Sequence, residues 1–185
     1  MKWLIMGAAL IAASLAGPVS ANPLKSQYTT IDLKKDCRVT RKHQDGNTWS
    51  CKGLDGWPIS IAEGDLRYFV SVGKGAEKRR AATQTIPQFN SIFKGESNRA
   101  TMEWRIRTVG GKSVPHATIL RYYWSTDGMK GQQLVVMKVT PTETCHAAHV
   151  NAAMPDALAL ARKIADEDTR GFDCKGEPAA HGAKN

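Results

Sequence analysis

The sequence lacks the motifs that identify the common hydrolases, nucleotide-binding proteins and metalloproteases. It has no G-x-S-x-G nucleophile elbow, no P-loop and no H-E-x-x-H pair of metal ligands. Its four cysteines include no C-x-x-C pair, which disfavours a zinc site built from all four. No internal repeat and no second domain are visible. These absences favour a non-enzymatic protein with no catalytic residues, no cofactor and no bound metal.

Residues 1–21 are typical of a secretory signal peptide. Lys2 gives a positive start, Trp3–Ala16 is uncharged and mainly apolar, and Val19–Ala21 ends in small residues suited to cleavage. The apolar run is shorter than the about 20 residues of a membrane span, so an uncleaved anchor is the less favoured alternative. Pro18 stands where a lipoprotein carries its cysteine, which excludes a lipid anchor. We expect a soluble, periplasmic or secreted protein with no transmembrane segment after cleavage.

The four cysteines all follow the signal peptide, and their even number fits an oxidising compartment. Four cysteines allow three pairings. We predict the disulfides Cys37–Cys51 and Cys145–Cys174, because each joins segments that local structure brings together. In the chain-entropy model the first contributes about 3 kcal/mol to stability and the second slightly more.

The chain is basic, with 26 Lys and Arg against 17 Asp and Glu and a formal net charge of +9. An exported basic protein is attracted to anionic phospholipid, lipopolysaccharide, wall polymers or an acidic protein. The alternative is that this charge serves solubility alone. Nucleic acid is not an expected partner, because the protein is exported and carries no recognisable nucleic-acid-binding module.

The pattern of apolar residues predicts a single α+β domain over residues 36–174. A polar lead at 22–35 precedes this domain, and a disordered tail at 175–185 follows it. Alternating residues joined by short turns with glycine predict an antiparallel meander. The predicted strands are 37–41, 48–54, 57–62, 66–72, 101–108, 114–126 and 132–140. A helix starts near Pro155 and ends at Gly171, and the Cys145–Cys174 disulfide is expected to hold it against the sheet.

Two irregular stretches interrupt the predicted strands. Glu63-Gly64-Asp65 is interpreted as the polar bend between two strands, with Leu66 opening the apolar row of the next strand. A catalytic carboxylate pair is the alternative there, but nothing in this solvated bend separates the pKa values of Glu63 and Asp65. Residues Gly73–Ser97 are interpreted as a long loop, with one helical turn near Phe89–Phe93.

His146-Ala147-Ala148-His149 resembles a pair of metal ligands. On a helix a spacing of three puts both imidazoles on one face. On a strand, which we favour here, an odd spacing sends them to opposite faces. A metal site would also need a third ligand that the sequence does not identify.

A basic sheet face is the most specific binding hypothesis. Five side chains lie on strand sides opposite the clearest core rows: Arg67, Arg105, Arg107, Arg121 and Tyr123. Guanidinium groups on one face can hold anionic groups through paired hydrogen bonds. The alternative is an ordinary solvated face in which Glu103 and other acids are interleaved.

Several short motifs resemble a pattern found in small exported proteins of alphaproteobacteria. The matching residues are Trp49-Ser50-Cys51, Gly53, Gly56, Pro58-Ile59, Ile61, Glu63-Gly64-Asp65-Leu66-Arg67, Glu103-Trp104-Arg105, Ile119-Leu120-Arg121-Tyr122 and the Cys145–Cys174 segment. The resemblance covers most of the mature chain. It implies an exported bacterial protein, and it implies no activity and no catalytic residues.

We therefore expect a non-enzymatic envelope protein that binds a protein partner or an anionic envelope component. Two alternatives stay open. One is a small periplasmic hydrolase in which His116, His146 or His149 meets Asp or Glu in a concave pocket. The other is an inhibitor of a secreted or host hydrolase that inserts Gly73–Ser97 into a partner's cleft.

Overall fold

The computed structural model describes residues 24–182. Over this range the chain forms eleven strands and one α-helix. In chain order the elements are β1 (Lys25–Asp32), β2 (Cys37–His43), β3 (Gly46–Leu54), β4 (Trp57–Gly64), β5 (Arg67–Val72), β6 (Phe89–Ser91), β7 (Arg99–Val109), β8 (Lys112–Thr126), β9 (Met129–Val139), β10 (Thr144–Asn151), α1 (Ala157–Glu167) and β11 (Ala179–His181). The predicted signal peptide and residues 183–185 lie outside the described residues.

The strands divide into two sheets. β2, β3, β4 and β5 form a four-stranded sheet in sequence order. The larger sheet has the order β1-β7-β8-β9-β10-β11, and β6 also pairs with β8. Neighbouring strands are antiparallel except β10 and β11, which are parallel. The predicted α+β class is confirmed, and the predicted meander is shared between two sheets.

The main core lies between the two sheets. Strand alternation sends every second side chain into this layer. The large side chains buried there include Ile59, Ile61, Val70, Val72, Met102, Trp104, Leu120 and Tyr122. On the opposite face of the larger sheet, Ala161 and Ile164 of α1 pack with Ala117, Ile119 and Val136. The layers are therefore small sheet, large sheet and helix.

Both predicted disulfides are confirmed. Cys37 and Cys51 are register partners across the β2–β3 hairpin. Cys145 on β10 is joined to Cys174, which follows α1, so the second disulfide ties the end of the helical segment to the larger sheet. No helix among residues 24–182 has the length and apolar character needed to cross a lipid bilayer.

The two flanking segments carry more structure than their composition indicates. The segment predicted as a polar lead contains β1, which pairs along its whole length with β7. Ile31 at its end is fully buried, and Thr29 accepts a hydrogen bond of 3.0 Å from the indole nitrogen of Trp104. The segment predicted as a disordered tail contains β11, which extends the larger sheet beyond β10. β1 and β11 both lack a clear alternation of apolar residues. Each is held as a strand by backbone hydrogen bonds to the edge of an existing sheet.

The Glu63–Asp65 bend is a tight hairpin turn displaced by one residue from its predicted position. Gly64 and Arg67 are the last paired residues, so Asp65 and Leu66 form the turn. Both have a positive φ, 51° and 58°, as the mirror-image hairpin turns require. Leu66 is 68% exposed and does not belong to the core row that we predicted for it.

The segment predicted as a long loop is packed against both sheets. It contains two short 3₁₀ turns, Ala76–Lys78 and Arg80–Thr83, followed by β6 at the position where we predicted a helical turn. Its side chains Ala81, Ile86 and Ile92 are buried in the main core. Residues 73–97 are therefore a structural element and not a projecting loop.

Candidate functional site

The five residues of the predicted basic face do not form one surface. Arg67 lies on the four-stranded sheet, where it pairs with Asp65, donates to the Pro87 carbonyl and stacks over the Phe89 ring at 5.0 Å. The other four lie on β7 and β8 of the larger sheet. Arg67 therefore lies on a different sheet from the other four residues of the predicted basic face.

Arg105 is engaged in a buried ion-pair network beneath α1. Its Nε and Nη2 donate to both carboxylate oxygens of Asp166, at 2.8 and 2.5 Å. Glu103 accepts in the same way from Arg162 of the helix. Hydrogen bonding to these acids holds the pKa of Arg105 and of Arg162 above the ordinary arginine value. The positive charge of Arg105 therefore secures the helix and is not free to bind an anion.

Arg121 and Tyr123 lie together near one end of β8. With Arg99 they line a shallow, open depression. The guanidinium of Arg121 donates to the Gln132 side chain at 2.8 Å, and Arg99 approaches Asp32 at 3.8 Å. Arg107 lies at the opposite end of the sheet, beside His116. The predicted basic face is therefore divided among separate local environments.

The strand predicted for His146 and His149 is confirmed as β10, but the prediction that they face opposite ways is wrong. A β-bulge between His146 and Ala148 shifts the register by one residue, so His146 pairs with Met137 and His149 with Val135. Both imidazoles then lie on one face, and His146 Nδ1 is 3.0 Å from His149 Nε2.

Burial lowers the pKa of His146 to about 3 and that of His149 to about 4, with the neighbouring imidazole adding to the effect at His146. Both are neutral at neutral pH and share a hydrogen bond. Residues 24–182 contain no group of three or more His, Cys, Asp or Glu side chains arranged to hold a metal.

Among the best-formed cavities of residues 24–182, the largest, about 590 Å³, is a groove on the outer face of the four-stranded sheet. Its floor carries small side chains from β3 and β4: Thr48, Ser50, Ser60 and Ala62. These residues alternate with the core residues Cys51, Ile59 and Ile61, so strand periodicity sends them outward. We call this feature the hydroxyl groove.

One rim of the hydroxyl groove is formed by Arg38 and Arg41 of the edge strand β2. A bulge at Thr40 brings both onto the groove side, because Arg38 pairs with Ser50 and Arg41 with Thr48. Both arginines are exposed. Sequence reasoning missed them because two residues three apart on a regular strand point in opposite directions.

The opposite wall of the hydroxyl groove is the 3₁₀ turn Ala76–Lys78. The adjacent Arg79 anchors this wall through four hydrogen bonds of 2.7 to 3.1 Å. Its acceptors are the carbonyls of Lys74, Thr140 and Pro141 and the hydroxyl of Thr144. Burial lowers the pKa of Arg79, and none of these acceptors carries a charge. The wall is thus fixed to the β9–β10 turn of the larger sheet.

The chemistry of the hydroxyl groove suits the binding of an anion. Arg38, Arg41 and Lys78 supply three positive charges, and Glu77 supplies one negative charge. Serine and threonine hydroxyls line the floor between the charged walls. In the described part of the chain, the groove lining contains no histidine and no cysteine. The groove therefore offers hydrogen-bond donors and positive charge to a ligand.

Comparison with known proteins gives no relative from which a function can be transferred. The chain matches no family model, no curated protein and no solved structure at a significant level. The resemblance to exported alphaproteobacterial proteins stays a prediction.

Two further observations bear on the alternative functions. The hydrolase hypothesis needs a histidine beside an acid in a concave pocket, and His116 Nε2 does lie 3.4 Å from Asp166 Oδ1. That carboxylate is already held by Arg105, and the adjoining cavity measures only about 50 Å³. The inhibitor hypothesis needs an exposed loop at residues 73–97, a segment that is instead packed and anchored.

Proposed function

We propose that this protein is an exported binding protein that holds an anionic glycan chain of the cell envelope in the hydroxyl groove. The observation that supports the proposal most strongly is the combination of three cationic side chains with a floor of hydroxyl groups in the largest cavity. Two disulfides are typical of proteins of an oxidising, extracytoplasmic compartment and agree with export.

The lining of the hydroxyl groove favours a polar polymer over a lipid chain. Thr48, Ser50 and Ser60 present hydroxyls that both donate and accept hydrogen bonds, which matches the hydroxyls of a sugar. Arg38 and Arg41 can each bind a carboxylate, sulfate or phosphate substituent through two donors. An acyl chain would instead need a mainly apolar channel.

The proposal is tested with dextran sulfate as the ligand and uncharged dextran as its matched control. We expect dextran sulfate to bind and dextran to bind far more weakly. The double variant Arg38→Gln/Arg41→Gln should weaken the binding of dextran sulfate by about tenfold or more, which corresponds to about 1.4 kcal/mol. Calorimetric titration at two salt concentrations measures both the affinity and its salt dependence.

The matched control variant is Lys112→Gln/Lys130→Gln. It removes two positive charges from exposed positions at the start of β8 and in β9, outside the lining of the hydroxyl groove. We expect this variant to change the affinity by no more than about twofold, since surface charges outside a site act only through the screened field. Equal weakening by both double variants would show that the net charge of the protein, and not the groove, binds the polymer.

A further inference from the structure

A second, smaller cavity lies between the larger sheet and the C-terminal end of α1. It measures about 50 Å³. The polar side chains that line it are Arg107, His116, Lys138, Asp166, Thr169 and Arg170. A bulge in β8 at His116 brings this side chain to the helix side of the sheet, beside Ala117. We call this feature the polar cavity.

Positive charge dominates the polar cavity. Arg107, Lys138 and Arg170 oppose a single carboxylate, Asp166. Both oxygens of Asp166 already accept hydrogen bonds from Arg105. Glu143 lies 3.5 Å from Lys138 and offsets part of that charge, and the negative end of the α1 dipole contributes roughly half an elementary charge. Arg107 and Arg170 keep the lining net positive. The local field therefore favours a bound anion.

The polar cavity also contains buried nitrogen atoms that have no hydrogen-bond partner in the structure. They are Nε of Arg107 and both ring nitrogens of His116. His116 is only 7% exposed, and its Nε2 lies 3.4 Å from Asp166 Oδ1, an oxygen that already accepts from Arg105. A buried polar group without a partner is costly, and native proteins nearly always supply one. Burial lowers the pKa of His116, so its neutral ring has one N–H donor. That donor and Nε of Arg107 favour an acceptor in the cavity.

The size of the polar cavity limits what that acceptor is. One water-sized group takes about 10–15 Å³ on this measure, so the cavity has room for roughly four. Phosphate and sulfate each carry four oxygens and no carbon chain. Water carries no charge to offset Arg107 and Arg170, whereas an oxyanion does.

We propose that the polar cavity binds one inorganic oxyanion, phosphate or sulfate, through Arg107, His116 and Arg170. Lys138 contributes its charge, while its ammonium group donates to the Phe172 carbonyl at 2.7 Å. The bound ion connects β7 and β8 to the segment that follows α1. This site is distinct from the hydroxyl groove, which lies on the outer face of the other sheet.

The experiment titrates the purified protein, with both disulfides intact, with phosphate and separately with sulfate, using calorimetry and thermal unfolding. The wild-type protein should bind one ion per molecule and unfold at a higher temperature as the ion concentration rises. Arg107→Gln should weaken binding by about tenfold or more. Without the ion this variant should unfold at the same or a higher temperature than the wild type, because it removes one of several neighbouring positive charges.

Arg121→Gln is the matched control, since it removes the same group from the neighbouring strand outside the polar cavity. It should bind either ion within about twofold of the wild type. Arg170→Gln, at an exposed position, repeats the test if Arg107→Gln does not fold. The proposal is overturned if neither ion binds saturably, if both cavity variants bind like the wild type, or if Arg121→Gln weakens binding as much as they do.

Discussion

Arg79 is expected to stabilise the fold more than any exposed arginine, because it is the buried link between the groove wall and the larger sheet. We consider the substitution Arg79→Met, which keeps much of the side-chain length and removes every donor. Four hydrogen bonds are lost. At about 1 kcal/mol net for each, the free energy of unfolding should fall by roughly 4 kcal/mol.

Arg80→Met is the matched control for this prediction. Arg80 is adjacent in sequence, but its ion pair with Glu177, at 3.6 Å, joins two exposed side chains. Such pairs contribute about 0–1 kcal/mol. Equilibrium unfolding in urea, followed by far-ultraviolet circular dichroism with the disulfides intact, gives both values. If the two variants lost the same stability, the assignment of Arg79 as the anchor of the groove wall would be refuted.

Two further predictions concern the second disulfide and the buried histidines. The Cys145–Cys174 disulfide closes a loop with a sequence separation of 29. Replacing both cysteines by Ala should lower the free energy of unfolding by about 3.5 kcal/mol. A loss below about 1 kcal/mol in urea unfolding would contradict this prediction. Folding lowers the pKa of His146 to about 3 and of His149 to about 4, so the unfolded chain binds more protons below its histidine pKa near 6.5. Stability should therefore fall as the pH drops from 6.5 towards 4, by up to about 1.4 kcal/mol per pH unit for each histidine, and His149→Gln should flatten this dependence. An unchanged pH dependence in that variant would oppose the prediction.

The sequence is sufficient to predict the parts of the fold that depend on local pattern. The alternation of apolar and polar residues identifies β7, β8 and β9. The recurrence of apolar residues at helical spacing identifies α1. The disulfides follow from the same local structure, because Cys37 and Cys51 face each other across a hairpin and Cys174 follows the helix. Segments that pair by backbone alone, such as β1 and β11, have no comparable side-chain signal.

The candidate sites depend on bulges, which local pattern does not reveal. Bulges at Thr40, His116 and Ala147 each reset the two-residue period of a strand. They place Arg38 beside Arg41 in the hydroxyl groove, His116 in the polar cavity, and His146 against His149. If these strands are assumed to be regular, one side chain beside each bulge is assigned to the wrong face of its sheet.

The excess positive charge is also distributed in a way that only the tertiary structure shows. Arg105 and Arg162 have a clear pattern on β7 and α1, yet both are paired with acids from a distant part of the sequence. The guanidinium of Arg79 donates hydrogen bonds to three backbone carbonyl groups. The hydroxyl groove and the polar cavity hold other cations, and the basic composition alone does not distinguish these from the structural ones.

The most direct test of the proposed function is to locate the bound polymer by nuclear magnetic resonance. An isotope-labelled sample is titrated with a short dextran sulfate fragment, and amide shifts are followed along the chain. The largest shifts should fall on Arg38, Arg41, Ser50, Ser60 and Lys78, which line the hydroxyl groove. Shifts spread evenly over all surface lysines and arginines, or concentrated on β7 and β8, would contradict the assignment of this groove as the binding site.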